Sequence, residues 1–328
     1  EGAYDLPVRF WLPGDGSGGP YPTLFYGHGL GSGRSQGSIV ARRVVAEGVA
    51  VVAADAVEHG DHPGRREAPL EFLEPILFFG VSFNPPSIDG RVLRDNWRQT
   101  TFERLQLLEA LEAGLDVDGD GDVDLDSARM GYVGVSLGGI MGSELLALSS
   151  IFRGALLSVP GGRTTSIIQD STTFAPLIEL MAPPGTPPGD VERFFPLLQA
   201  LSDPGDAMIW APHVRSDRLD GAEPPQLLVQ VALDDAIVPN SANDPLVRSL
   251  DLVGVGREVW SIPEVDFEAG PLEAAAAQQF DWVTVGGEEV PASHDNVTIS
   301  EEGWAEAIAF LRAVLDGEVA SISDPYGP

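Results

Sequence analysis

The chain has 328 residues, 43% of them hydrophobic, enough to bury a sizeable core in one large α/β domain with an insertion or in two small domains. Its 50 acidic residues against 19 basic ones leave a net charge of −31, which disfavours nucleic-acid phosphates and anionic lipid heads as partners. There is no cysteine, so disulfides, thiol catalysis and cysteine-held metals are excluded, and no apolar run approaches the roughly 20 residues of a membrane span.

All 19 basic residues are arginine, a bias that fits either a salty or extracellular setting or a GC-rich genome. The sequence begins at Glu1 without an initiator Met or a signal-like segment, so a mature or trimmed form is expected.

Along the chain, Val8 to Leu12 is expected as an edge strand, followed by a Gly/Pro-rich loop and a buried strand from Thr23 to Tyr26. That strand opens into Gly27-His28-Gly29-Leu30-Gly31-Ser32-Gly33. A glycine-rich turn after a strand lets a backbone amide, here that of Leu30, face an oxyanion. His28 is expected to be a structural hydrogen-bonder behind the loop. Gln36 to Glu47 reads as a helix stopped by Gly48, and Val49 to Ala54 as the next strand, which implies a parallel crossover. The loop Asp55 to His62 holds two histidines and three acids without HxH or HExxH spacing, so a self-bonded rim loop is expected rather than a zinc site.

Residues 63–94 are proline-rich, and the apolar stretch Phe72 to Phe83 is expected to lie over the mouth of a site. A long helix is expected from a cap at Asp95 to Ala113, with Trp97, Thr101, Leu105, Leu108 and Leu111 on its core face and Gly114 ending it. Next come six aspartates in alternation, Asp116 to Asp126. With Gly121 at a sharp turn they are similar to the first half of a calcium loop, although Ser127 stands where a bidentate Glu is needed. Asp116, Asp118, Asp120, Asp122 and Asp124 are therefore candidate ligands for a structural Ca²⁺.

The stretch Arg129 to Gly142 carries the most chemistry. A strand, Met130 to Val135, runs into Gly134-Val135-Ser136-Leu137-Gly138 and then into the helical segment Ile140 to Leu148. A serine at a sharp strand-to-helix turn needs small neighbours two positions either side, and glycines 134 and 138 supply them. Ser136 then projects as a nucleophile, and the amide of Leu137, first in the helix, points where an oxyanion would form.

After a strand from Gly154 to Val159, residues 163–224 break the β-α rhythm with prolines and three apolar patches, Phe174 to Met181, Phe194 to Leu201 and Met208 to Trp210. This is expected as a cap or lid inserted between core segments 1–162 and 225–328. Leu227 to Leu233 resumes the sheet and ends at Asp234-Asp235-Ala236-Ile237-Val238-Pro239, where an acid fits the orienting member of a catalytic triad. A helix, Asn240 to Leu252, a final strand, Glu258 to Ile262, a second insertion, 264–290, and a closing helix, Glu301 to Leu315, complete the chain.

This order of elements, with the G-H-G-L-G, G-V-S-L-G-G and D-D-A-I-V-P segments, resembles the α/β-hydrolase superfamily of esterases and lipases along essentially the whole chain. The D-G-D-G stretch, with Asn96-Trp97-Arg98-Gln99-Thr100 before it, is similar to bacterial surface lipases and lipase-like lipoproteins. The resemblance implies an α/β fold, a mostly parallel twisted sheet flanked by helices, and an extracellular or cell-surface setting. It also implies catalytic residues in the chain order Ser, Asp, His. His294 is the one histidine beyond Asp235. Asp235 takes the family position for the acid, with Asp234 as its alternative. The implied activity is hydrolysis of a small-molecule or lipid ester without a catalytic cofactor. A peptidase or amidase with the same triad, or a non-catalytic calcium-binding surface module, is the competing expectation.

Overall fold

A computed structural model describes residues 3–14, 18–176, 181–219 and 221–327. The apolar patch expected over Phe174 to Met181 thus lies partly outside the described residues. The centre is a sheet of nine strands among those residues: β1 (Val8–Trp11), β2 (Tyr21–Gly27), β3 (Ala50–Ala54), β4 (Leu125–Val135), β5 (Phe152–Ser158), β6 (Gln226–Ala232), β7 (Gly254–Val255), β8 (Phe267–Glu268) and β9 (Ala275–Phe280). Their spatial order is β1-β3-β2-β4-β5-β6-β9-β7-β8, parallel throughout except that β1 runs antiparallel to β3 at the edge. Most of these strands are nearly continuous apolar runs, as strands covered on both faces must be.

Alternate residues of each strand feed two separate cores. Phe25, Val52, Leu227 and Val229 face one, together with α2 (Gly90–Glu112), α3 (Leu137–Leu148), α4 (Thr164–Asp170), α5 (Pro188–Ser202), α6 (Ala207–Val214) and α7 (Asn240–Ser249). Leu24, Tyr26, Val51 and Leu228 face the other, against α1 (Ser38–Val44) and α8 (Glu301–Asp316). The helices of the 163–224 segment belong to the first core: Ile167, Leu198, Ala211 and Val214 are buried in one cluster with the sheet and α3.

Two expected elements are placed differently. The long helix begins at Gly90, capped by Asp89, whose side chain accepts from the Arg91 amide at 2.9 Å, while Asp95 is an exposed helical residue paired with Arg94. Glu258 to Ile262 is not a strand. Its place in the sheet belongs to β9, inside the stretch expected to be an insertion. The Gln279 side chain substitutes for a ladder there, its Oε1 accepting from the Val259 and Trp260 amides at 2.9 and 3.2 Å and its Nε2 donating to the Trp260 carbonyl at 2.9 Å. Buried Gln278 is satisfied in turn by Gln230 and the Ser323 carbonyl. Such polar residues hide a central strand from a hydrophobicity pattern.

One carboxyl in the first core is out of the ordinary. Glu144 on α3 is 1% exposed and accepts from the Thr101 hydroxyl of α2 at 2.7 Å. Burial pushes its pKa up to about 7. The folded state therefore binds a proton more tightly than the unfolded one, and stability falls as pH rises from the ordinary carboxylate range to about 7. Glu144→Gln keeps an acceptor for Thr101 and removes the titration. Urea unfolding at pH 5 and pH 8 should show the native chain losing on the order of 3 kcal/mol relative to the variant across that range. An equal difference at both pH values would mean that Glu144 ionises normally.

Candidate active site

Strand β4 delivers Ser136 to a turn that only small neighbours permit. Ser136 has φ 54° and ψ −119°, a strained conformation for a residue with a side chain. A Cβ on Gly134 would lie 2.5 Å from the Gly138 carbonyl oxygen, and one on Gly138 would lie 2.0 Å from that of Gly27. The Ser136 amide donates to the Ser158 carbonyl at 2.9 Å, and the Ser136 carbonyl accepts from Ile140, the first bond of α3.

Two loops at the same end of the sheet complete a chain of hydrogen bonds. His294 Nε2 lies 2.7 Å from Ser136 Oγ, and His294 Nδ1 lies 2.7 Å from Asp235 Oδ2. All three side chains are buried. The turn after β6 holds the acid: Asp235 Oδ1 accepts from the Ile237 and Val238 amides at 2.8 and 2.9 Å. Asp234 is exposed, and its amide donates to Asn240 Oδ1, so Asp235 is the acid that meets the imidazole. The histidine loop is fixed from inside by Asn296, which accepts from the Ser293 amide at 2.7 Å and donates to the Pro291 carbonyl at 2.8 Å. It is fixed from below by the Ser158–Thr298 hydroxyl pair at 3.0 Å.

The segment after β2 makes a turn, with the Ser32 amide donating to the Gly29 carbonyl at 3.2 Å. Leu30 sits inside this turn, and Leu137 is the first residue of α3, whose opening amides have no helical partner. Leu30, Ser136 and Leu137 line one small cavity. Gln36 props the turn by accepting from the Gly29 amide at 2.8 Å. His28 donates from Nδ1 to the Gly29 carbonyl and accepts at Nε2 from Ala56, both at 2.9 Å. Burial holds its pKa well below the usual imidazole value, so it is a neutral strut. An open cavity of about 490 Å³ reaches Ser136 and His294 from the surface, walled mainly by apolar residues such as Ile39, Phe72, Leu73, Phe174 and Ile237.

No protein-family model and no curated protein matches the sequence. Solved structures do match. The acetyl xylan esterase from Paenibacillus sp. R4 aligns with a TM-score of 0.57 at 16% identity, over 94% of this chain and 80% of that one. The 2,6-dihydroxy-pseudo-oxynicotine hydrolase gives 0.56 at 14% identity, over 98% of this chain and 69% of that one. The Pyrococcus horikoshii acylaminoacyl peptidase gives 0.54 at 11% identity over 97% of this chain, which spans only 40% of the peptidase's length. The fold is the α/β-hydrolase fold.

In this α/β-hydrolase fold, the Asp55–His62 loop is bound to itself and its neighbours. Asp55 accepts from the Arg34 and Asp61 amides at 2.5 and 2.9 Å and pairs with the Arg34 guanidinium. His62 meets Glu103 at 3.0 Å. His59 is pushed down to a pKa of about 4 by burial.

The acidic loop is brought together only in part. Carboxylate oxygens of Asp116, Asp118 and Asp120 lie within 4.8 Å of one another, all exposed. Asp122 is outside that group, and Asp124 is turned inward to accept from the Val117 and Asp118 amides at 2.6 and 3.3 Å. Three hard oxygens suit Ca²⁺ in kind but leave most of its six to eight positions to other donors.

Several contributors carry no motif. Asn96 donates to the Phe78 carbonyl at 3.0 Å, and Thr100 accepts from the Val57 amide at 3.0 Å, so α2 pins both segments beside the site. Trp97, Phe79 and Phe174 close the small cavity behind Ser136. Their helical or apolar spacing is the same as that of any core residue.

Proposed function

We propose that this protein is a serine carboxylic-ester hydrolase working through an acyl-enzyme. The observation that carries this reading is the unbroken line of 2.7 Å contacts from Ser136 Oγ through His294 to Asp235, at the foot of an open cavity. His294 Nε2 takes the Ser136 proton as Oγ attacks the ester carbonyl. Asp235 keeps the Nδ1–H tautomer and stabilises the imidazolium. The Leu30 and Leu137 amides receive the oxyanion, each contributing on the order of 10²–10³ in rate. Collapse of the tetrahedral intermediate expels the alcohol, which takes its proton from His294 Nε2. Water, activated by the same base, then releases the acid.

The solved structures that share this fold include both an esterase and a peptidase, and leaving-group preference separates these classes. Cleavage of p-nitrophenyl acetate without cleavage of peptide anilides favours the esterase. The likeness to bacterial surface lipases, and an extracellular or cell-surface setting, belong to the same proposal.

Ser136→Ala and His294→Ala should each lower kcat/KM on p-nitrophenyl acetate by about 10³–10⁴ or more while the chain stays folded. The double variant should lose little further, because the two act as a unit. Asp235→Asn should be far more damaging than Asp234→Asn. Substantial turnover in either single alanine variant contradicts the assignment.

Calcium is a separate proposal, resting on Asp116, Asp118 and Asp120. A structural ion there would stabilise the fold by about 2.7 kcal/mol at a hundredfold excess over Kd. A thermal melt in EDTA, repeated with CaCl₂ at fixed ionic strength, should show a higher melting temperature with calcium and none of that gain in Asp118→Ala. An unchanged melting temperature makes the stretch a solvated loop.

A further inference from the structure

The two sides of Ser136 differ in the room they offer. The leaving alcohol must sit on the side of His294, which protonates it, and His294 lines the open cavity of about 490 Å³. The acyl group must then sit on the other side, against the amides that hold its oxyanion. There the small cavity touching Leu30, Ser136 and Leu137, but not His294, has a volume of about 20 Å³. That is room for a methyl group or a single water. Its wall includes Phe79 and Phe174, whose rings meet edge to face at 5.6 Å and 66°, and Phe174 also stands between it and the open cavity, whose wall it shares.

Behind that ring pair the space resumes. A second apolar void of about 30 Å³ shares Phe79 and Phe174 with the first and is bounded farther out by Ile88 and Met181. Ile88 and Met181 also line a third cavity, of about 410 Å³, between the Val81–Ile88 hairpin and α5, with Val191, Phe194 and Phe195 on its wall. Three spaces thus stand in file from Ser136 outward, each sharing two residues with the next.

We propose that Phe79 and Phe174 limit the acyl group to acetyl, so that the substrates are acetate esters of a bulky, partly apolar alcohol seated in the open cavity. This rests on the esterase reading above. Phe79 and Phe174 are the two residues that the small cavity shares with the next void, so they set its length on that side. Removing one ring joins the first two voids and leads toward the outer cavity, where an alkyl chain finds apolar walls. The alcohol side carries no such limit, because Phe72 at its mouth is 75% exposed.

The test varies the acyl chain at one fixed alcohol, with p-nitrophenyl acetate, butyrate and octanoate. For the native chain, kcat/KM on octanoate should fall about 100-fold or more below acetate, since even the first one or two methylenes that cannot be seated cost about tenfold or more each. Phe174→Ala should raise the octanoate-to-acetate ratio about tenfold or more, and the milder Phe174→Leu should raise it in the same direction if the alanine variant folds poorly. Adding Ile88→Trp, which fills the next void, should take the gain back. A native ratio near one, or a ratio that neither Phe174 variant moves, overturns the proposal. So does a gain that survives Ile88→Trp, because the chain would then lie in the open cavity. Absence of hydrolysis of every ester, acetate included, overturns the esterase reading itself and the acyl subsite with it. Acetate hydrolysis without these chain-length effects overturns the subsite alone.

Discussion

The end of β2 and the start of α3 come into backbone contact. Gly138 lies against the Gly27 carbonyl so tightly that neither position admits a Cβ: one on Gly27 would meet the Tyr132 hydroxyl at 2.2 Å. The same hydroxyl donates to the Gly138 carbonyl at 2.6 Å, so Tyr132 of β4 clamps both partners. This contact brings the turn that holds Leu30 beside the turn that holds Ser136. Without it, the proposed nucleophile and the Leu30 amide proposed to receive the oxyanion would belong to separate loops with independent motions, and preorganisation of that kind is what acyl transfer most depends on.

The supports around this contact are polar and hydrogen-bonded, and all but the half-buried Gln36 are buried. His28 and Asp55 tie the segment after β2 to the segment after β3, Thr100 of α2 holds that second segment in turn, and Gln36 props the Gly29 amide. Ser158 serves twice, its carbonyl holding the Ser136 amide and its hydroxyl holding Thr298 of the histidine loop. Satisfied networks at low dielectric are stiff, while each partner lost leaves a costly orphan. The strain at Ser136 is thus stored by surroundings that over-determine it.

Much of this was legible in the sequence because the chemistry there demands rare local patterns. Glycines two residues either side of Ser136, and glycines around His28, mark backbone segments that must touch, and the strand periodicity carries the fold. The features hidden from the sequence are made of common residues. β9 reads as an insertion because Ala275 to Phe280 holds two buried glutamines. With β9 in the sheet, the stretch from there to His294 is an ordinary hairpin, Trp282–Val285 with Glu288–Pro291, and a turn. Asp89 and Asp95 are equally good caps on paper, and only packing chooses between them. Phe79 and Phe174 look like any core aromatics, since apolar spacing says that a residue is buried and not what empty space it borders. In the acidic loop, alternating aspartates suggest a shared ligand, whereas Asp124 turns inward to bind its own backbone.

The central claim is that Ser136 is a nucleophile poised by His294. Reaction with a small fluorophosphonate, followed by intact mass and peptide mapping, tests it without any assumption about substrate. One adduct per chain on Ser136, formed rapidly in the native protein and greatly slowed in His294→Ala, is the expected result. A native chain that stays unlabelled, or an adduct on another serine while ester hydrolysis persists, would contradict it.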